Sequence, residues 1–362
     1  MAFKKRYIES NPPVRIFKYI FSPLRRGSNL KNVILTSRGR DSIQLACNYL
    51  NVGPEDVALV PAFTCDTVTG ILVSNCKLTY YDISEVFKID VTEIERLISE
   101  NPMIKILYVI HYFGFLHKNM EELNSVCKSN GITLIEDHAH SALTQGKNSL
   151  SDIQIFSFRK IFPTADGGGM LIHGEEFNHS FNLKSKITAN LKGFMIAFKR
   201  IGSLYSSTFR RYIGGVIQKD ISNLNEGSSR INPLPVSIFG KGIIRSADLQ
   251  KNASERREQF KLWENLIEET PFEPLLPGLE EGTVPVGFPI KVGNNTEVAE
   301  YFKKFNIFLK IHWTLLPEGT AETCPVSLKI SRSSITLPIY PGLIEQDMKF
   351  IRDELLKCAV PV

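Results

Sequence analysis

A chain of 362 residues with 43% hydrophobic and 22% charged residues has apolar material for one large globular domain and a smaller one, which excludes disorder as its expected state. A net charge of +5 from 43 basic and 38 acidic residues argues against a nucleic-acid binder. No stretch approaches the roughly 18 apolar residues that span a bilayer, and Lys4, Lys5, Arg6 and Glu9 stand where a signal peptide needs its apolar run.

In chain order, β-rich runs at 57–60, 78–81, 106–110, 133–135, 153–156 and 170–172 alternate with helical patterns at 42–50, 66–73, 91–98 and 120–128. This rhythm predicts a mainly parallel sheet with helices on its faces. From 177 to 219 there is no acidic residue against eight lysines and arginines. That segment is either a solvated helical face or a surface for an anionic partner, a pyrophosphate-bearing substrate or an anionic membrane. After Ser246 the chain runs to Glu268 without Gly or Pro, which predicts one long helix, and prolines and glycines then punctuate 271–287. The expected organisation is an N-terminal arm at 1–30, a large domain at 31–255 and a small C-terminal α/β domain at 256–362. The six cysteines form no Cys-x-x-Cys pair, so neither zinc nor a disulfide framework is legible, and reduced thiols in the cytoplasm are expected.

Three stretches could carry chemistry. In Ile135-Glu136-Asp137-His138-Ala139-His140 a strand ends in acidic residues and histidines, and ligands of parallel sheets gather at carboxyl ends of strands. Asp137 there suits the protonated nitrogen of a pyridine cofactor; alternatively, Asp137, His138 and His140 could ligate a metal, or cap a loop. In Ser157-Phe158-Arg159-Lys160, followed by Gly167-Gly168-Gly169, a lysine follows an apolar strand. A Schiff-base lysine needs partial desolvation and neighbouring positive charge, which Arg159 could supply, and glycines would let backbone pass close to a cofactor or partner chain. An exposed turn is the alternative. Arg38-Gly39-Arg40 opens a helix whose N-terminal amides could bind phosphate, with Arg40 adding charge-assisted bonds; the alternative is a plain N-cap by Asp41 or Ser42. Neither the dinucleotide glycine fingerprint nor the phosphate-loop lysine motif is present.

Taken in order, these stretches resemble the DegT-type nucleotide-sugar aminotransferases, a pyridoxal 5'-phosphate (PLP) family of the aspartate-aminotransferase-like fold (fold type I). Arg38-Gly39-Arg40 stands at the family's phosphate turn. Pro61-Ala62-Phe63-Thr64-Cys65 is similar to its Pro-x-x-Thr segment, and His111-Tyr112-Phe113-Gly114 to its His-x-x-Gly turn. Glu136-Asp137-His138-Ala139-His140 resembles its strand end, and Leu337-Pro338-Ile339-Tyr340-Pro341 its late Leu-Pro-x-x-Pro. The resemblance runs from about Leu35 to the C-terminus. It implies Lys160 as Schiff-base lysine and catalytic acid/base, Asp137 on the pyridine nitrogen, and His140 beside the ring. Gly39, Arg40 and Ser157 would hold the phosphate. It also implies a homodimer in which Arg230 serves the partner's site, and amino transfer from a donor such as glutamate to a nucleotide-linked keto-sugar. Peripheral membrane contact is compatible with it.

The chain departs from the family pattern in three places: Ser157 and Lys160 stand closer together than usual, Arg40 replaces a hydroxyl, and Cys65 occupies the position of a stacking aromatic. Phe63 or His138 is therefore expected to stack on the cofactor. A sugar dehydratase or eliminase on the same fold, a non-catalytic sensor or scaffold, and a metal-dependent hydrolase built on Asp137, His138 and His140 are the competing expectations.

Overall fold

The computed structural model describes residues 8–9, 11–14, 30, 32–146, 150–174, 179–205, 230–276, 278–313 and 316–362. A short N-terminal strand, β1 (Ile8–Glu9), precedes the strands of the main sheet: β2 (Ile34–Thr36), β3 (Val57–Pro61), β4 (Lys77–Tyr81), β5 (Ile104–Ile110), β6 (Thr133–Asp137), β7 (Ile153–Phe156) and β8 (Gly168–Ile172). Their order is β2-β8-β7-β6-β5-β3-β4. β8 alone runs antiparallel to its neighbours, and the other pairings are parallel. The near-continuous apolar runs of β3 and β5 are those of strands covered on both faces.

Between the strands lie α1 (Gly39–Tyr49), α2 (Asp66–Val73), α3 (Val91–Glu100) and α4 (Met120–Ser129). α1 is buried on all sides from Asp41 to Cys47, whereas α2, α3 and α4 each bury one stripe. In α3, Asp90 caps the start by accepting from Thr92 N, and Ile94 and Ile98, four apart, face the core.

Then follow α5 (Leu183–Tyr205), α6 (Ile238–Arg245) and the expected long helix, α7 (Leu249–Glu268). α7 begins where Asp248 accepts from Lys251 N. Beyond it come β9 (Gly287–Lys291), α8 (Asn295–Lys303), β10 (Ile307–Phe308), α9 (Pro325–Arg332), β11 (Ser334–Pro338) and α10 (Glu345–Cys358). β9 pairs antiparallel with β11, and β10 pairs parallel with β1. The N-terminal segment therefore reaches the C-terminal part of the chain, where Ile8 joins the cluster of Phe260, Trp263, Phe288, Ile290 and Ile351. A separate cluster fills the main sheet and its helices.

The glycine run has a structural cause. A Cβ at Gly168 would come within 2.3 Å of the Arg38 backbone, and one at Gly169 within 2.8 Å of the Phe158 ring. Only glycine lets β8 lie against β2 and the turn that opens α1.

Candidate active site

The pleat of β6 divides its residues between two sides of the sheet. Ile110 pairs with Asp137, and Val109 pairs with Glu136, which pairs in turn with Gln154. Asp137, the last residue of its strand, accepts from Tyr108 Oη at 2.8 Å and from Ala139 N at 2.7 Å. Two of the roughly four acceptor positions of a carboxylate are thereby used, and others remain.

Lys160 ends a 3-10 turn (Phe158–Lys160) directly after β7, with its amide bonded to Ser157 O at 3.1 Å. Burial holds its amine below the ordinary lysine range; Cys65 and Asp137 pull the other way, and Arg159 adds a smaller downward push. The amine and the Asp137 carboxylate thus sit close enough to act on each other's charge.

The carbonyls of this turn are gripped from α7. Arg256 is 0% exposed, and its guanidinium donates to Asn252 Oδ1, Pro285 O, Ile339 O, Lys160 O and Ile161 O at 2.7 to 3.4 Å. All five N–H groups have oxygen partners, and burial lowers its pKa to about 9.

His140 accepts from Phe113 N at Nδ1 over 3.4 Å, so the ring proton resides on Nε2. Burial, then Lys160, His312 and Lys310, push its pKa well down. Its ring lies 5.1 Å from that of His312 and, nearly parallel, 5.9 Å from Trp313. The region after β10 brings Lys310 into the same field, where burial and then Lys160 lower its pKa to about 7.

At the other end of the cluster, Gly39 opens α1 beside Ser157, whose Cβ would lie 3.6 Å from a Cβ placed on the glycine. Neither expected cap forms. Asp41 Oδ1 accepts from Leu234 N, and Ser42 Oγ bonds Thr36 Oγ1. The amides of Asp41 and Ser42 turn to Arg38 O, which leaves those of Gly39 and Arg40 as donors at the helix start.

Several expectations need correction. Phe63 is 0% exposed and packs on Phe87, Tyr112 and Trp313; it offers no surface for a ring to stack on. His138 turns to the opposite side from Asp137, where its Nε2 meets Glu136 Oε2 at 2.7 Å and its Nδ1 meets Ser141 Oγ at 2.8 Å. Asp137, His138 and His140 therefore do not converge on a metal. Among the described residues, the three groups that do converge are His111, Glu136 and His138, whose ligand atoms lie within 4.8 Å of one another. His111 Nδ1 accepts from His117 N at 3.2 Å, which leaves the proton on Nε2, facing Glu136. Such a nitrogen donates a hydrogen bond and has no lone pair for an ion. The glycine run contacts Arg38 and Phe158, the turns that flank the site. Within its own chain, Arg230 donates to Val52 O at 3.1 Å, beyond the far end of α1 from Gly39, so it stands apart from the cluster.

Sequence reasoning missed Tyr108, Arg256, Lys310, His312 and Trp313. A tyrosine two residues before the paired end of β5 was a usable signal for the first, since strand alternation puts it on the side of Asp137.

Fold and cluster together define an aminotransferase of aspartate-aminotransferase-like architecture. The chain belongs to the DegT/DnrJ/EryC1/StrS aminotransferase family, whose model matches residues 23–356. It is 22% identical over 351 residues to a "pleiotropic regulatory protein" of Geobacillus stearothermophilus, covering 91% of this chain and 85% of that one. It is also 22% identical over 373 residues to dTDP-4-dehydro-2,3,6-trideoxy-D-glucose 4-aminotransferase of Saccharopolyspora spinosa, covering 98% and 91% of the two chains. Among solved structures, Spr1654 of Streptococcus pneumoniae in its PMP form matches with a TM-score of 0.69 at 16% identity, over 97% of each chain.

Proposed function

We propose that this chain binds PLP on Lys160 and transfers an amino group from a donor such as glutamate to a keto-sugar carrying a nucleoside diphosphate. The observation that carries this reading is the half-buried Lys160, whose amine desolvation holds below the lysine range within electrostatic reach of the Asp137 carboxylate. The donor set suits the cofactor. Thr64, in the segment that precedes Cys65, has a buried hydroxyl with no hydrogen-bond partner, a group that costs stability until a ligand meets it. The amides of Gly39 and Arg40 with the Ser157 hydroxyl suit a phosphate, and the free acceptor positions of Asp137 suit a protonated pyridine nitrogen.

When bound, PLP supplies an electron sink for the carbon that gives up its proton. The residues do the rest. Asp137 keeps the ring nitrogen protonated, and Tyr108 and Ala139 N hold that carboxylate in place. His140 presents its Nε2 proton as a donor. Lys160 Nζ, its basicity depressed, would take the proton from the amine-bearing carbon of the donor and deliver it to the cofactor carbon across the shared nitrogen, so that the nitrogen stays with the cofactor, which is general acid–base work by a single amine. Lys310, a second amine in the same field with its pKa lowered to about 7, would be drawn to its charged form by an anionic substrate group and orient it.

The nucleoside diphosphate is suggested by the Saccharopolyspora relative, which is named for a dTDP-linked keto-sugar. Six free cysteines suit a reducing cytoplasm. Replacing Lys160 with Ala is expected to abolish both the release of 2-oxoglutarate from glutamate plus keto-sugar and the absorbance of the lysine-bound cofactor; turnover retained in that variant would refute the assignment. The Geobacillus relative's description as regulatory favours one second reading, a sensor on this fold. PLP binding with no amino exchange from any donor would select it.

A further inference from the structure

Helix α5 reverses the usual amphipathic arrangement. At about 100° per residue, Ala189, Gly193 and Ala197 share one side and are buried, and Asn190 Oδ1 accepts from Ile238 N at 2.9 Å to fix that side to α6. Small residues face the body of the protein. The opposite side carries Ile187, Leu191, Phe194, Met195 and Phe198, each between 51% and 62% exposed. Single exposed apolar residues are ordinary, but five aligned on one helix form a patch, and such patches mark contact surfaces.

The charge around the stripe has one sign. No acidic residue occurs from 177 to 219 in the sequence, against eight basic ones, and Lys184, Lys186 and Lys192 of α5 are exposed. Arg210, Arg211 and Lys219 lie outside the described residues. Two copies of this helix packed about a two-fold axis would bring like charges together with no carboxylate of the segment to meet them. A surface with apolar depth beneath a layer of negative charge satisfies both features at once. Among the described residues, no helix is long and apolar enough to cross a membrane.

We propose that α5 docks this protein on a bilayer containing anionic phospholipid. The helix lies in the plane of the interface, its stripe among the acyl chains and its lysines at the headgroups. The contact would hold the catalytic cluster at a membrane surface, whatever the site transfers.

The test uses the full-length, PLP-loaded protein, sedimented with vesicles of phosphatidylcholine plus phosphatidylglycerol and with vesicles of phosphatidylcholine alone. The protein is expected to pellet with the anionic vesicles, less so as salt rises. The triple variant Leu191→Ser, Phe194→Ser, Phe198→Ser should lower partitioning on the order of 100-fold with absorbance spectrum and oligomeric mass unchanged. The double variant Lys184→Glu, Lys192→Glu keeps the apolar stripe and should lower it by roughly tenfold or more. Three results would overturn the proposal: no pelleting, equal pelleting with both vesicle types, or dissociation of an oligomer by the triple variant. The last would make this face a contact between copies of the chain.

Discussion

Glu136 and Asp137 are adjacent acids with different surroundings because a strand turns successive side chains to opposite sides. Asp137 faces Tyr108 and the Lys160 field, and Glu136 accepts from His111 and His138. On the Glu136 side, burial lowers the pKa of His111 to about 4 and that of His117 to about 3. Both folded-state values lie below the unfolded value, so both histidines contribute stability above pH 6.5 that is lost as pH falls through the folded values. Replacing His111 with Gln should make the loss of stability between pH 7 and about pH 4 shallower by about 3 kcal/mol, read from urea unfolding at both ends of that range. An unchanged slope would mean that His111 is not held neutral. At this scale the sequence was half legible. A carboxylate at a strand end pointed to Asp137 directly, whereas grouping Asp137, His138 and His140 by nearness in sequence ignored the alternation that separates them. Phe63 misled for a related reason, because an aromatic beside a ligand segment is as readily core as platform.

Periodicity carries far at the scale of elements. All six expected strand runs of the main sheet and all four helical patterns between them appear, because strands of period two and helices of period 3.6 need only local sequence. Arg256 shows what was overlooked. Between Glu255 and Glu258 it reads as part of an exposed charged run, yet it shares the spacing of Phe260, Trp263 and Ile267, the buried face of α7. Its five hydrogen bonds to neutral oxygens tie α7 to the lysine turn and to residues 285 and 339. Arg256→Met would remove all five bonds and leave Ile161 O only its 3.4 Å bond from Asn252 Nδ2; it is expected to cost about 3–5 kcal/mol, with kcat falling as the turn bearing Lys160 loosens. A variant with unchanged thermal midpoint and unchanged kcat would show that the grip on residues 160–161 has no consequence.

What the sequence could not give at the scale of the whole molecule are contacts between distant segments. Nothing local signals that β1 pairs with β10, or that Lys310, His312 and Trp313 reach the neighbourhood of Lys160. The boundary expected near residue 255 falls inside α7, which bonds the lysine turn at Arg256 and packs Phe260 and Trp263 into the C-terminal cluster. Arg230 bonds Val52 in its own chain; its proposed service to a partner's site makes a mixing experiment decisive. If the enzyme is a homodimer with shared sites, Lys160→Ala and Arg230→Ala subunits, each inactive alone, should regain roughly a quarter of wild-type activity when unfolded and refolded together; no recovery would confine each site to one chain. The cofactor lysine itself can be read directly, because two half-buried lysines of lowered pKa share one field. Borohydride reduction of the PLP-loaded protein, followed by digestion and mass mapping, should place the phosphopyridoxyl group on the peptide containing Lys160. The same mass on the peptide containing Lys310, or on neither, would contradict the account.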